Sequence, residues 1–281
     1  MHNSALRIGF VGGGNMAGAM LAGLLRAGHP AGNLQVADPK AERRAQLAQL
    51  SKDLLIVADN VDATTGADVI VLAVKPQLMP GVAKALQPGP QQLFVSVAAG
   101  ISLAAMHEWF GPSQPCVRSM PNQPALVGAG MSVLCAATGV SDTQRAQAEY
   151  LAGAAGSTAW VDDEGLMDAV TAVSGSGPAY FYLVMEILED CARDMGIPAE
   201  VARQLAVQTA YGAGLAAREA QIAPGELRQM VTSPGGTTQA AIEVLQQGGL
   251  DDLLRQALTA ARRRSMELGG RKSDQADLTE L

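Results

Sequence analysis

Histidine is nearly absent from this chain of 281 residues: His2 is near the start, His29 lies in a Gly/Pro loop and His107 on a short amphipathic helix, and none is close in sequence to the special loops singled out below. A histidine general base and a histidine-held metal are therefore not expected. Cysteine is as scarce. Cys116, Cys135 and Cys191 are odd in number and widely spaced, which gives neither a disulfide framework nor zinc spacing; three buried, reduced thiols are expected. Aromatic residues make up 4% of the chain, and the apolar mass is mostly Ala, Val and Leu. Positive charge is in deficit, with a net charge of −7, which argues against a general binder of nucleic acid or of membrane surfaces. The longest apolar stretches, such as Leu93 to Met106, are broken by Gly and Ser and are too short to span a bilayer. No charged-apolar-cleavage signal opens the chain, and no G-x-S-x-G or Walker loop occurs. A cytoplasmic, reducing setting is the expectation.

What the chain does have is a composition for a large core: 48% apolar and 17% charged. At roughly 100–200 residues per domain its length suggests two domains. The charge divides unevenly. Residues 1–160 carry 10 Lys/Arg against 9 Asp/Glu, whereas 161–281 carry 10 against 18, so the near-neutral half is the better place for an anionic cofactor. That half alternates short apolar runs with helix-prone stretches. Arg7 to Val11, Leu34 to Ala37, Asp68 to Val74 and Leu93 to Ala98 read as strands, the last two without polar alternation and thus buried on both faces. Weaker strands are expected near Cys116–Arg118, Met131–Cys135 and Thr158–Val161. The pattern implies a parallel, doubly wound α/β sheet. After Val161 the strand signals vanish. Asp162–Val173, Pro178–Met195, Pro198–Glu219, Thr237–Gln247 and Asp251–Leu268 read as helices, with Pro178 and Pro198 at first-turn positions. Small residues such as Ala206, Ala210, Ala213 and Ala216 suit close packing on a second copy of the chain. Gly269 to Leu281 is polar and is expected to fray.

Gly12-Gly13-Gly14-Asn15-Met16-Ala17 fits G-x-G-x-x-A between a strand and a helix, the context a dinucleotide fingerprint requires. Gly12 permits the tight turn, Gly14 lets backbone approach a pyrophosphate, and Ala17 keeps the helix near the strand. A simple strand–helix turn would also use glycine; the position at residue 12 of an α/β pattern favours the cofactor. Asp38 lies 24 residues after Gly14 and fills the acidic slot that accepts from a ribose 2′-hydroxyl and favours NAD. Lys40, Arg43 and Arg44 follow at once; they suit a 2′-phosphate, or simply a solvated helix face. Ala73-Val74-Lys75-Pro76 ends the buried strand Asp68 to Val74. It puts Lys75 at the carboxyl edge of the sheet, as a cleft residue or a plain surface lysine.

Three other loops stand out. Met120-Pro121-Asn122-Gln123-Pro124 is a turn stiffened by two prolines, in which Asn122 can donate and accept. Val173-Ser174-Gly175-Ser176-Gly177-Pro178-Ala179-Tyr180 joins two helices, with Ser174 or Ser176 free to cap the second. Ser233-Pro234-Gly235-Gly236-Thr237-Thr238 precedes a helix and exposes backbone N–H groups at its positive end, a cradle for a small carboxylate or phosphate. Capping alone would also explain that loop. With so little titrating chemistry on hand, hydride transfer to an already cationic imine fits, since the protein then chiefly positions the reactants.

GGGNMA, AVKP, the PN-x-P turn, VSGSGPAY and SPGGTT, in that order and spacing, resemble the Δ1-pyrroline-5-carboxylate reductase family over about residues 6 to 268. The resemblance implies NAD(P)H-dependent reduction of the C=N bond of 1-pyrroline-5-carboxylate to L-proline, the last step of proline biosynthesis. It implies a Rossmann-type domain over 1–161 and an all-α dimerisation and substrate domain over 162–281, with homodimers that can assemble to decamers. Carried over by position, Gly12, Gly14, Asn15, Met16 and Ala17 would hold the pyrophosphate and Asn60 would contact the cofactor. Ala73, Val74, Lys75 and Pro76 would line the nicotinamide side, with Asn122 nearby. Ser233, Gly235, Gly236, Thr237 and Thr238 would seat the substrate carboxylate, bordered by Ser174 and Ser176. Thr238 would bond the ring nitrogen and relay a proton; Ser233 and Lys75 are counted with it as catalytic candidates. The family turn reads PNTP, and here Gln123 replaces its threonine. The family favours NADP(H) and Asp38 favours NAD(H); the expectation is NADP(H), with NAD(H) a competitor.

Two rivals share features of the chain. A short-chain 3-hydroxyacid dehydrogenase would need a lysine on the helix after the Rossmann domain, and 162–173 contains none. A nucleotide-sensing protein with a dead site would have no need of an intact SPGGTT loop.

Overall fold

The computed structural model describes residues 5–270. Their contacts form two compact units. One runs to Gly175 and resumes at Ala261; the other is Ser176–Ala260. The expectation of a frayed tail falls, from residue 271 on, outside the described residues.

The first unit alternates β1 (Ile8–Val11), α1 (Asn15–Arg26), β2 (Leu34–Ala37), α2 (Ala41–Ala48), β3 (Leu55–Val57), α3 (Asn60–Thr64), β4 (Val69–Leu72), α4 (Met79–Ala85), β5 (Leu93–Ser96) and α5 (Leu103–Phe110). It continues through β6 (Cys116–Met120), β7 (Gly130–Ala136), α6 (Asp142–Gly153), β8 (Gly156–Trp160) and the short α7 (Met167–Val170). The eight strands lie in the order β3-β2-β1-β4-β5-β6-β7-β8. The first six repeat the doubly wound order, which changes direction between β1 and β4. The four residues of each of β1, β2, β4 and β5 are all buried, as expected where helices cover both faces. One apolar cluster fills each side, around Ile8, Leu21, Val69 and Leu134 on one and Ile70, Phe94, Met106 and Cys135 on the other.

The sheet is not wholly parallel: β7 runs antiparallel to β6, and β8 runs parallel to β7. Residues 121–129 between β6 and β7 hold one tight turn, Gln123–Val127, too short for the dozen or more residues of a parallel crossover. β3 and α3 were not expected; β3 is a three-residue, half-exposed edge strand that carries little periodicity.

The second unit holds α8 (Gly177–Asp194), α9 (Ala199–Glu219), α10 (Pro224–Met230), α11 (Thr237–Gln247) and the first part of α12 (Leu250–Leu268); α10 was not anticipated. Pro178 sits in the first turn of α8, whereas Pro198 is the cap of α9. Ala202 and Ala206 are buried, but Phe181 (66% exposed), Tyr182, Leu183, Ile187 and Leu188 of α8 stand in solvent. Cys116 and Cys135 are buried thiols as expected, but Cys191 on α8 is exposed, because among the described residues nothing covers the outer face of that helix.

Candidate active site

In the first unit, two of the motifs meet at the sheet's switch point. Gly12 has φ +96°, a left-handed value that glycine tolerates. A Cβ there would come within 2.8 Å of Val74 Cγ1 and 2.9 Å of the Ala73 carbonyl oxygen. The glycine loop and the Ala73–Pro76 turn are thus in contact, outside the carboxyl ends of β1 and β4, where open α/β sheets take their ligands. Gly14 caps α1 with no side-chain bond, and no acidic residue occupies the first turn. The N–H groups of Asn15 and Met16 are left to an anion. Ala17 is buried under the loop. This uncapped cradle fits the pyrophosphate of a dinucleotide. Lys75 is exposed beside it, at the head of the tight turn Pro76–Leu78, and Asn60 opens α3 after the cap Asp59.

Asp38, at the tip of β2, is turned onto the protein's own backbone. Its Oδ2 accepts the Gly13 N–H at 3.0 Å and its Oδ1 accepts the Lys40 N–H at 2.9 Å. Arg44 Nη1 donates to the carbonyls of Asp38 (2.8 Å) and Pro39 (2.9 Å). Arg43 Nη2 donates to Asn15 Oδ1 at 3.0 Å. The acidic slot is therefore embedded among cations and spent donors.

The PN-x-P turn and the VSGSG segment also meet. Asn122 donates from Nδ2 to Ser174, to its carbonyl at 3.1 Å and its Oγ at 3.4 Å, and its Oδ1 accepts the Met131 N–H at 2.9 Å. The second lone pair of Oδ1 is what Asn122 has left to offer a cofactor amide. Asp162–Val173 is not one continuous helix: a tight turn at Glu164–Leu166 leads to α7 and then to a π-helical turn, Thr171–Gly175, a feature common at functional sites. Ser176 precedes α8 but makes no side-chain cap.

In the second unit, the SPGGTT loop enters α11 through Gly235, at φ +69°, and the cap Gly236. The loop's donors are not all open. The Gly236 N–H donates to the Ser233 carbonyl at 3.0 Å, and the Gly235 N–H donates to Gln239 Oε1 at 2.7 Å. A glycine cap cannot take the first-turn donors and no side chain does. The N–H groups of Thr237 and Thr238, with the hydroxyls of Ser233, Thr237 and Thr238, make up the open set.

Among the described residues no group of His, Cys, Asp and Glu could hold a metal, and no helix is long and apolar enough to cross a membrane.

Residues 164–268 match the family described as pyrroline-5-carboxylate reductase dimerisation, and residues 7–100 match NADP oxidoreductase coenzyme F420-dependent. Over 268 residues the chain is 48% identical to a pyrroline-5-carboxylate reductase of Pseudomonas aeruginosa, covering 94% of this chain and 97% of that one. The chain belongs to the pyrroline-5-carboxylate reductase family. The pyrroline-5-carboxylate reductase of Coxiella burnetii superposes with a TM-score of 0.89 at 37% identity, over 95% of this chain and 99% of that one. That of Plasmodium falciparum, solved with NADP bound, gives 0.82 at 28% identity, over 94% and 98%. Enzymes of the pyrroline-5-carboxylate reductase family are oxidoreductases acting on a C=N bond, and so is this one.

Two residues escaped the sequence reading. Arg118 of β6 is 2% exposed, and its Nη1 pairs with Glu164 Oε1 at 3.1 Å; a lone arginine in a short strand gave no signal without its distant partner. Gln239 follows the loop motif and takes one of its amides, which the motif alone did not suggest.

Proposed function

We propose that this protein reduces the C=N bond of 1-pyrroline-5-carboxylate to L-proline, the closing step of proline biosynthesis. The observation that carries the reading is the uncapped glycine loop resting on Ala73 and Val74 at the switch point, in a chain of this family. When bound, the reduced nicotinamide supplies a hydride to the ring carbon of the cationic imine, which becomes a secondary amine. Gly12, Gly14, Asn15, Met16 and Ala17 hold the pyrophosphate, Asn60 and Asp38 border the cofactor, and Ala73, Val74, Lys75 and Pro76 line its nicotinamide end. The α11 start seats the substrate carboxylate on the N–H groups of Thr237 and Thr238. Ser233, Gly235 and Gly236 shape that seat, and Ser174 and Ser176 border it. Thr238 keeps the ring nitrogen hydrogen-bonded and, where the neutral imine binds, relays to it a proton taken in turn from water.

NADP(H) is the preferred cofactor, with NAD(H) accepted. Asp38 already receives two N–H donors, and Lys40, Arg43 and Arg44 outweigh its charge, which suits a 2′-phosphate. Residues 1–161 serve as the dinucleotide domain and 162–281 as the helical dimerisation and substrate domain, in a cytoplasmic homodimer that can build a decamer. The bare apolar faces of α8 and α9 support a second copy as their cover. Steady-state oxidation of NADPH and NADH with pyrroline-5-carboxylate tests the reaction and the preference together. A higher kcat/KM with NADPH is expected; turnover with neither cofactor would reject the enzyme reading. Sedimentation tests the assembly, and a stable monomer would contradict it.

A further inference from the structure

The stretch from Glu164 to Ser174 is pinned to β6 and its exit at both ends. At one end the buried Arg118 donates to Glu164 Oε1, and the same oxygen accepts the Leu103 N–H at 2.9 Å. At the other, Asn122 donates to the Ser174 carbonyl and Oγ and accepts from Met131. In between, Ser265 Oγ donates to the buried Asp168 Oδ1 at 2.8 Å. Pro178 stands four residues after Ser174 and has no N–H, so the Ser174 carbonyl lacks its helical donor and needs a partner from outside the helix. Asn122 supplies the partner for Ser174. The task demands donors and an acceptor on one short planar side chain, which asparagine has and aspartate or serine lacks.

We propose that Asn122 is a positioning residue: through its amide it fixes the π turn that presents Ser174 to the substrate, while Arg118 and Glu164 fix the start of the same stretch. The inference rests on Ser174 bordering the substrate site, as argued above. It differs from a cofactor contact in what it leaves unchanged. Loss of the link loosens the serine segment, not the glycine loop or the Ala73–Pro76 turn.

The test uses the full chain with Asn122→Asp. The carboxylate still accepts from Met131 but has no proton for Ser174 and faces its carbonyl with a charge. KM for pyrroline-5-carboxylate is expected to rise ~10-fold, the equivalent of one to two hydrogen bonds. The NADPH dissociation constant, followed by NADPH fluorescence, is expected to stay within ~2-fold. Measured against wild type at each pH, the defect should shrink on acidification, because a protonated carboxyl can again donate to the Ser174 carbonyl. Should Asn122→Asp fail to fold, Glu164→Gln reads the other anchor: it keeps the shape, weakens the grip on Arg118, and should raise the same KM without moving NADPH affinity. NADPH binding that weakens in step with KM would make Asn122 a cofactor contact instead. Unaltered substrate kinetics in a folded variant, beside an active wild type, would overturn the positioning role alone. A wild type that reduces no pyrroline-5-carboxylate would overturn the reaction on which it rests.

Discussion

Asp38 and Gly13 are joined by a hydrogen bond from the Gly13 N–H to Oδ2, 3.0 Å long, across 25 residues of sequence. The bond ties the tip of β2 to the middle of the glycine loop, so the loop is held before any cofactor arrives. Asp38→Ala should therefore weaken NADPH and NADH binding alike, by about 1–2 kcal/mol for a charge-assisted bond at a half-exposed site. Fluorescence titration with each cofactor checks this. A loss confined to NADH would return Asp38 to the role of ribose acceptor.

Gly12→Ala is expected to be severe. The substitution forces a side chain into a left-handed backbone at φ +96° and drives its Cβ against Val74 and the Ala73 carbonyl. A cost of about 1–3 kcal/mol follows from the backbone alone. Thermal unfolding should register a lower Tm, and NADPH affinity should fall further than the Tm loss explains, because the loop cannot close on the turn. A variant with wild-type Tm and affinity would remove the contact from the account.

Thr238→Ala removes a hydroxyl at the second position of α11 and leaves the backbone donors in place. If the hydroxyl bonds the ring nitrogen, kcat/KM for pyrroline-5-carboxylate should drop roughly 10–100-fold. The apparent affinity for NADPH should hold. Unchanged turnover would strike Thr238 from the mechanism and leave water as the proton source.

His29 predicts an acid-side loss of stability. Burial lowers its pKa below the ordinary 6.5, against a smaller raising effect from the Leu6 backbone. Its Nδ1 lies 3.0 Å from Tyr150 Oη. The folded state keeps the ring neutral while the unfolded chain takes up a proton, so stability is complete above 6.5 and falls as pH drops below it toward the lowered value. His29→Gln should flatten the slope of Tm against pH below about 6.5 relative to wild type. An equal slope would mean that other groups carry the acid sensitivity.

The sheet's central strands and the glycine loop were legible because their signals are local. Leu34–Ala37 and Leu93–Ser96 are mainly apolar and wholly buried, and Gly12 to Ala17 carries strand, turn and helix in a few letters. β3 was illegible because three half-exposed residues at an edge form no period. The reversal at β7 lies in the shortness of residues 121–129, not in any strand letter. Among site residues, Asp38 was found by its distance from Gly14, but its engagement by Gly13 and Lys40 is a matter of side-chain rotation. The union of Asn122 with Ser174 spans 52 residues, and no spacing rule reaches so far. The π turn was hidden because VSGSG reads equally as an ordinary connection between helices.

The reversed β7 leaves the chain, after β8, near the opposite edge of the sheet from the glycine loop, and the segment from Glu164 must travel back. Ten residues separate Glu164 from Ser174, and four separate their anchors Arg118 and Asn122. A helical path gains about 15 Å over that length, and an extended strand about 13 Å over its own. The two rulers nearly agree, so the return path has no slack. Its exposed side chains, such as Leu166 and Val173, are free to vary, whereas one residue added or deleted between its anchors would swing the serine roughly 100° around the helix axis. In descendants of this sequence, insertions should collect in the surface loops and spare this stretch.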